Sequence, residues 1–231
     1  GFAAGFLDGN VMLGGVYHNG TLLKDNDTFI NGWISTDGGD GIRGYTNYGY
    51  PRLAFSDYNR KLLSGNREVK SIKTNYTPYP NASYIVGESS DMAVHPFNYN
   101  IYYAGEDTKL RITYDGGYTA QDVYDFGAKV AAVEIARTDP NVLYVCTYPG
   151  WWDTKRIYRS DDAGKTFTEI TPASTILNGE TWMAYDIAVS STNAKKIWMV
   201  RTSPYGGGYP AVDGFRAYTS DDGGQTWANF G

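Results

Sequence analysis

One short string, written twice in full and once in half, constrains this chain more than any other feature. Ser160-Asp161-Asp162-Ala163-Gly164-Lys165-Thr166-Phe167 and Ser220-Asp221-Asp222-Gly223-Gly224-Gln225-Thr226-Trp227 agree position for position as Ser-x-Asp-small-Gly-x-Thr-aromatic. Thr113-Tyr114-Asp115-Gly116-Gly117 repeats the first half, and Tyr118-Thr119-Ala120 then lacks the closing aromatic. The string suits a hairpin turn. An Asp carboxylate accepts hydrogen bonds from turn amides, and glycine supplies a positive φ at little steric cost. The threonine returns the chain to extended geometry, and the aromatic is expected to cover the hairpin.

The flanks repeat as well. Met92-Ala93-Val94, Ile101 to Ala104 and Leu110 to Thr113 precede the first turn. Val133 to Ala136, Val142 to Val145 and Ile157 to Ser160 precede the second, and Tyr185 to Val189, Ile197 to Val200 and Ala217 to Ser220 the third. Each unit reads strand, turn, strand, loop, strand, tight turn, strand, with Pro, Asn or Gly between short β-branched and aromatic runs. The turn aspartates at 115, 162 and 222 are 47 and 60 residues apart, the longer interval holding a loop from Ser203 to Pro210. Repeats of this length with four short strands have the size of a β-propeller blade. Glycine (28) and tyrosine (21) are plentiful without a three-residue period, which fits a turn-rich β-protein and excludes collagen.

The N-terminal third fits less closely. Ser35-Thr36-Asp37-Gly38-Gly39 resembles the turn, and runs at 11–15, 20–23, 51–55 and 61–64 read as strands. The expected organisation is an all-β propeller segment with units at 1–40 (a partial blade), 41–81, 82–127, 128–172 and 173–231, an incomplete ring or part of a larger propeller. Val123 to Ala136 is the sole stretch with any helical character; Gly127 and the β-branched residues favour loop plus strand. The chain opens without an initiator Met and reads as a mature or incomplete segment of something longer.

The turn strings resemble the Asp-box, or bacterial neuraminidase, repeat of sialidases, xyloglucanase-type propellers, sortilin-type receptors and large bacterial surface proteins. Leu13 to Thr21 and Asp37 to Gly41 are similar to blade-to-blade segments of big secreted proteins of that class, many exported by the type IX pathway. The resemblance covers roughly residues 90–231. It implies that Thr113, Asp115, Gly117, Ser160, Asp162, Gly164, Thr166, Phe167, Ser220, Asp222, Gly224, Thr226 and Trp227 are structural. It also implies a secreted or cell-surface location. Calcium at the doublets Asp161-Asp162 and Asp221-Asp222 is the minority reading, since Asp161 and Asp221 hold the variable position and are expected to face water. No cofactor or metal is expected.

Charge narrows the partners. A net charge of −5 lacks the Lys/Arg excess that phosphate neutralisation needs, which argues against nucleic acid. No run approaches the ~18 apolar residues of a membrane span. The lone cysteine, Cys146, reads as a core hydrophobe. Asn-x-Ser/Thr sequons begin at Asn19, Asn26, Asn75 and Asn81 and carry little weight in Asn- and Thr-rich loops.

A sialidase site would need an arginine cluster, a Tyr–Glu nucleophile and an Asp acid/base. Pro51-Arg52-Leu53-Ala54 only faintly echoes the family's arginine strand. Glu68, Glu88, Glu106, Glu134, Glu169 and Glu180 are the glutamates to consider, and Asp40 and Asp91 the aspartates for a xyloglucanase-like pair. No motif supports any of them; Glu180 differs only in lying in a loop that enters a blade, where the resemblance implies functional groups. His18 and His95 are too sparse for a metal site, and His95 reads as a turn residue equivalent to Asp139. Aromatic loops are more suggestive: Tyr148 with Trp151 and Trp152, Tyr205 with Tyr209, and Tyr45, Tyr48 and Tyr50. Such side chains stack on sugars or anchor proteins. The expected function is an extracellular binding or adhesion module contacting glycans or protein partners. The alternative is a fragment of a sialidase- or xyloglucanase-like glycoside hydrolase.

Overall fold

The computed structural model describes residues 2–4, 11–16, 20–25, 33–37, 44–46, 53–56, 60–63, 69–72, 92–98, 100–115, 119–148, 156–173, 176, 184–202 and 217–230. These residues form twenty strands in five four-stranded antiparallel sheets, and none of them is helical. The chain divides into two compact units. One comprises Gly1–Pro80, Val94–Tyr102 and Thr113–Ala120, the other Asn81–Ala93, Tyr103–Ile112 and Gln121–Gly231.

The first sheet holds β1 (Phe2–Ala4), β2 (Val11–Val16), β3 (Gly20–Asp25) and β4 (Trp33–Asp37), and the second β5 (Gly44–Thr46), β6 (Leu53–Ser56), β7 (Arg60–Leu63) and β8 (Val69–Ile72). The third holds β9 (Met92–Val94), β10 (Tyr102–Glu106), β11 (Lys109–Thr113) and β12 (Gln121–Asp125). The fourth holds β13 (Lys129–Ile135), β14 (Leu143–Tyr148), β15 (Arg156–Ser160) and β16 (Thr168–Glu169). The fifth holds β17 (Ala184–Val189), β18 (Ile197–Thr202), β19 (Ala217–Ser220) and β20 (Ala228–Asn229). Within every sheet, spatial order follows chain order, so each is an up-and-down meander.

Two expectations need correction. Residues 1–40 carry a full set of four strands rather than a partial blade. Ser35 to Asp37 are strand, not turn: Leu22 pairs with Ser35 and Thr21 with Asp37, with a register shift between them. The stretch 123–136 is strand, turn and strand, with Gly127 at φ 65 reversing the chain between β12 and β13.

The inner strand β14 is covered on both faces. Leu143 through Thr147 in β14 are all buried, which explains why the run is continuously apolar or β-branched instead of alternating. Between the fourth and fifth sheets lies a core containing Tyr144, Ile157, Ile197, Met199 and Tyr218, each at most 0% exposed, with Cys146 at 1%. Each buried Ile or Met contributes roughly 1.5–3 kcal/mol of transfer free energy. The outermost strands β16 and β20 are two residues long and exposed, which limits edge pairing.

Candidate functional site

The three turn strings close the same hydrogen-bond circuit. Ser160 Oγ donates to Asp162 Oδ1 at 2.8 Å and accepts from the Asp162 and Gly164 amides at 3.2 and 2.8 Å. Asp162 then accepts from the Thr166 amide at 2.9 Å and from Thr166 Oγ1 at 2.7 Å. Ser220, Asp222 and Thr226 repeat this at 2.7 Å for the Ser–Asp bond and 2.9 and 2.6 Å for the two threonine bonds. Thr113 and Asp115 follow suit, with Thr119 donating its amide at 2.9 Å and its hydroxyl at 2.6 Å. Thr119 therefore holds the threonine place in the first turn; Gly117 lies outside the described residues.

Donors crowded around a carboxylate favour its charged form. The Thr166 and Ser160 bonds lower the pKa of Asp162 to about 2, and Asp222 is lowered further by Thr226 and Ser220. Asp161 and Asp221 are exposed, as expected, and ion-paired: Asp161 with Arg159, Asp221 with Lys196 at 2.6 Å. Among the described residues no three His, Cys, Asp or Glu side chains gather as metal ligands.

The glycines of these turns do more than permit the bend. A Cβ on Gly164 would fall 2.8 Å from Val123 and 3.3 Å from Leu143; one on Gly224 would fall 2.5 Å from Ile170. Each turn is thus seated on the preceding sheet. Tyr103 Oη donates to the Ala163 carbonyl at 3.0 Å and Trp227 Nε1 to the Ile170 carbonyl at 2.9 Å. Phe167 packs 4.9 Å from both Tyr124 and Phe126 of the sheet before it. The closing aromatic therefore joins neighbouring sheets, a larger role than covering its own hairpin. Sequence reading also missed Arg159, which donates to the carbonyls of Asp222 and Gly223 at 3.5 and 3.4 Å.

The connection between first and second strands repeats too. Asn98, Asp139 and Asn193 each accept, through Oδ1, from the amide two residues on, at 3.1, 3.1 and 2.9 Å. The first-strand bonds His95 N to Ile101 O, Ala136 N to Val142 O and Ser190 N to Lys196 O set the equivalence. Asn98, not His95, therefore corresponds to Asp139. His95 is still a turn residue: its Nδ1 accepts from the Phe97 and Asn98 amides at 3.2 and 3.1 Å, and partial burial lowers its pKa.

These first-to-second connections and the Asp turns lie at one end of the third, fourth and fifth sheets. The Ala163 amide donates to the Asn141 carbonyl, and the Gly223 amide to that of Lys195. In a meander the second-to-third connections leave from the opposite end. Tyr148 ends β14 and Arg156 starts β15, so the segment carrying Trp151 and Trp152 joins strands there; the segment carrying Tyr205 and Tyr209 joins β18 to β19 in the same way. The segment with Glu180 joins β16 to β17, again from that end. Tyr48 and Tyr50 join β5 to β6, a first-to-second connection, and so belong to the other class of connection in their sheet.

Trp151, Trp152, Tyr205, Tyr209 and Glu180 lie outside the described residues, as do Tyr48, Tyr50, His18, Asp40, Asp91, Glu68, Glu88, Arg52 and the sequon asparagines Asn19, Asn26, Asn75 and Asn81; of Tyr45 and Tyr148 the strand position alone is described. Glu106 pairs with Arg111 at 2.5 Å and Glu169 with Arg156 at 3.0 Å. Glu134 is a half-buried residue of β13.

No family model and no curated protein matches the chain. Solved structures do. A GH74 enzyme from Niastella koreensis superposes with a TM-score of 0.63 at 17% identity, over 99% of this chain and 37% of its own. An ancestral GH74 enzyme gives 0.63 at 14%, over 100% and 30%, and the GH74 xyloglucanase from Xanthomonas campestris 0.55 at 12%, over 98% and 51%. The chain folds as β-propeller blades. It spans between about a third and a half of the length of these propeller enzymes. Among the described residues no helix is long and apolar enough to cross a membrane.

Proposed function

We propose that this chain is a segment of a secreted or cell-surface propeller that binds a polymeric glycan, or a protein partner, at the sheet ends opposite its Asp turns. The observation carrying this reading is topological. The segments bearing Trp151 with Trp152, Tyr205 with Tyr209, and Glu180 all connect strands of the fourth and fifth sheets at that end. The turns that fix the scaffold occupy the other end. On this reading the turn strings are Asp-box repeats, one blade corresponds to each of 1–40, 41–81, 82–127, 128–172 and 173–231, and the chain belongs to a larger polypeptide. Flat aromatic rings on connections between rigid strands suit pyranose stacking. The likeness to GH74 enzymes, one of them a xyloglucanase, makes β-glucans the first ligands to try.

A second reading, a glycoside hydrolase fragment, draws on the same likeness, which runs the full length of the chain. It requires two carboxyl groups on either side of the scissile bond, about 5–9.5 Å apart.

The deciding experiment is affinity electrophoresis in xyloglucan, mixed-linkage glucan and mannan, paired with a reducing-end assay. Retardation without new reducing ends is expected, and Trp151→Ala with Trp152→Ala weakens it at least tenfold at unchanged Tm. Retardation that survives both substitutions, or none in any glycan or with a protein partner, removes the proposal. Release of reducing ends moves the chain to the second reading.

A further inference from the structure

The fourth and fifth sheets follow the same register, so their faces can be compared residue by residue. Leu143 pairs with Ser160 and Ile197 with Ser220, which makes Cys146 equivalent to Val200, Tyr144 to Trp198 and Arg159 to Thr219. Ile170 donates its amide to the Ile157 carbonyl at 2.8 Å and Phe230 to that of Ala217 at 2.8 Å, so Phe230 stands where Ile170 does.

On the fourth sheet this face is covered. Cys146 is 1% and Ile170 8% exposed, beneath Gly224 and the Trp227 indole of the following sheet. On the fifth sheet the equivalents are open: Val200 is 44% and Phe230 54% exposed. The same apolar pattern is present without its cover. Isolated exposed apolar residues are ordinary, but these two occupy the contact positions of an interface the molecule has already built once.

We propose that the face of the fifth sheet bearing Val200 and Phe230 is a docking surface for one further four-stranded sheet with an Asp-Gly turn, joined to this polypeptide. Its turn glycine rests on Phe230 as Gly224 rests on Ile170, and its closing aromatic reaches the Phe230 carbonyl as Trp227 reaches that of Ile170. The side chain at 219 sets which turn is accepted. Arg159 donates to the Gly223 carbonyl at 3.4 Å, and a Cβ at 223 would fall 1.7 Å from its Nη1, so this side chain would have to move aside for an alanine. Thr219 is short, so either alanine or glycine is admitted at that turn position. This inference rests on the fold alone and not on the ligand proposed above.

The test uses the full 231-residue chain and the same chain extended by a second copy of residues 173–231. Both carry Val200→Cys; buried Cys146 is the unreactive internal reference. Maleimide labelling at position 200 is expected to slow at least tenfold in the extended protein, and Phe230→Asp at the first copy is expected to restore it. Amide exchange reports whether the appended sheet has folded. An appended sheet that is protected while position 200 labels at the unextended rate overturns the proposal, and so does one that stays unprotected. If the unextended chain dimerises and Phe230→Asp abolishes the dimer, the face belongs to a second copy, and the proposal is likewise overturned.

Discussion

Ala163 and Gly223 occupy the same place in successive turns and differ by one methyl group. Both have positive φ, 59° and 77°. An L-residue in the left-handed region costs roughly 1–2 kcal/mol. Ala163→Gly is therefore expected to raise Tm by up to about 3 °C, part of the relief being offset by unfolded-chain entropy. Gly223→Ala should act in the opposite sense, lowering Tm by about 3 °C, because it takes on the same backbone strain, while the Arg159 guanidinium that a new Cβ would meet is the far end of a flexible side chain and can move aside. Thermal melts of the two variants check both signs. The turn aspartates make a second prediction. Their folded pKa values lie below those of the unfolded chain, so their stabilisation is complete above the unfolded value near 4 and fades as pH falls toward about 2 and below. Acid titration of stability should show this loss, and Asp162→Asn with Asp222→Asn should flatten it. The Ser, Asp, Gly and Thr positions were legible because each has one job that few side chains perform. Arg159 and Ile170 were not, because their contacts are 63 and 57 residues away in sequence and no local pattern announces them.

At the scale of the element, the sheets were legible from short β-branched and aromatic runs, and their joints were not. β1 (Phe-Ala-Ala) is too small to declare itself a strand, and its pairing with Met12 to Gly14 makes it one. Asp37-Gly38-Gly39 mimics the turn string, yet the ladder to β3 wins over the local preference. Joints between sheets depend on a few polar anchors. Tyr144 is fully buried and donates to the Ala194 carbonyl of the next sheet at 2.8 Å. Burial raises its pKa to about 12. Its neutral form is thus favoured by folding: this stability is complete below pH ~10, the unfolded value, and is lost as pH climbs toward 12. Tyr144→Phe should cost about 1 kcal/mol at neutral pH and remove that part of the alkaline loss, seen by denaturant melts at pH 7 and 11. Trp227→Phe keeps the ring but leaves the Ile170 carbonyl without its indole donor, and a penalty of about 1–2 kcal/mol is expected from the same measurement.

Beyond single elements, the third, fourth and fifth sheets each have two ends with different work. One holds the Asn98-type connections and the Asp turns, tied by amide bonds such as Ala163 to Asn141. The other releases the chain between β14 and β15 and between β18 and β19. Function was less legible than fold for this reason: the residues that repeat identify the scaffold, while those that would meet a ligand sit where no repeat is required. The meander thereby decouples architecture from vocabulary. Because four strands is an even number, the chain leaves each sheet at the end where it entered, so sequence can drift or lengthen there without disturbing the opposite end of that sheet. A foreign peptide spliced between Thr202 and Ala217 should be tolerated with little change in melting temperature, whereas the same insert between Asp162 and Thr166 should prevent the fourth sheet from engaging the third.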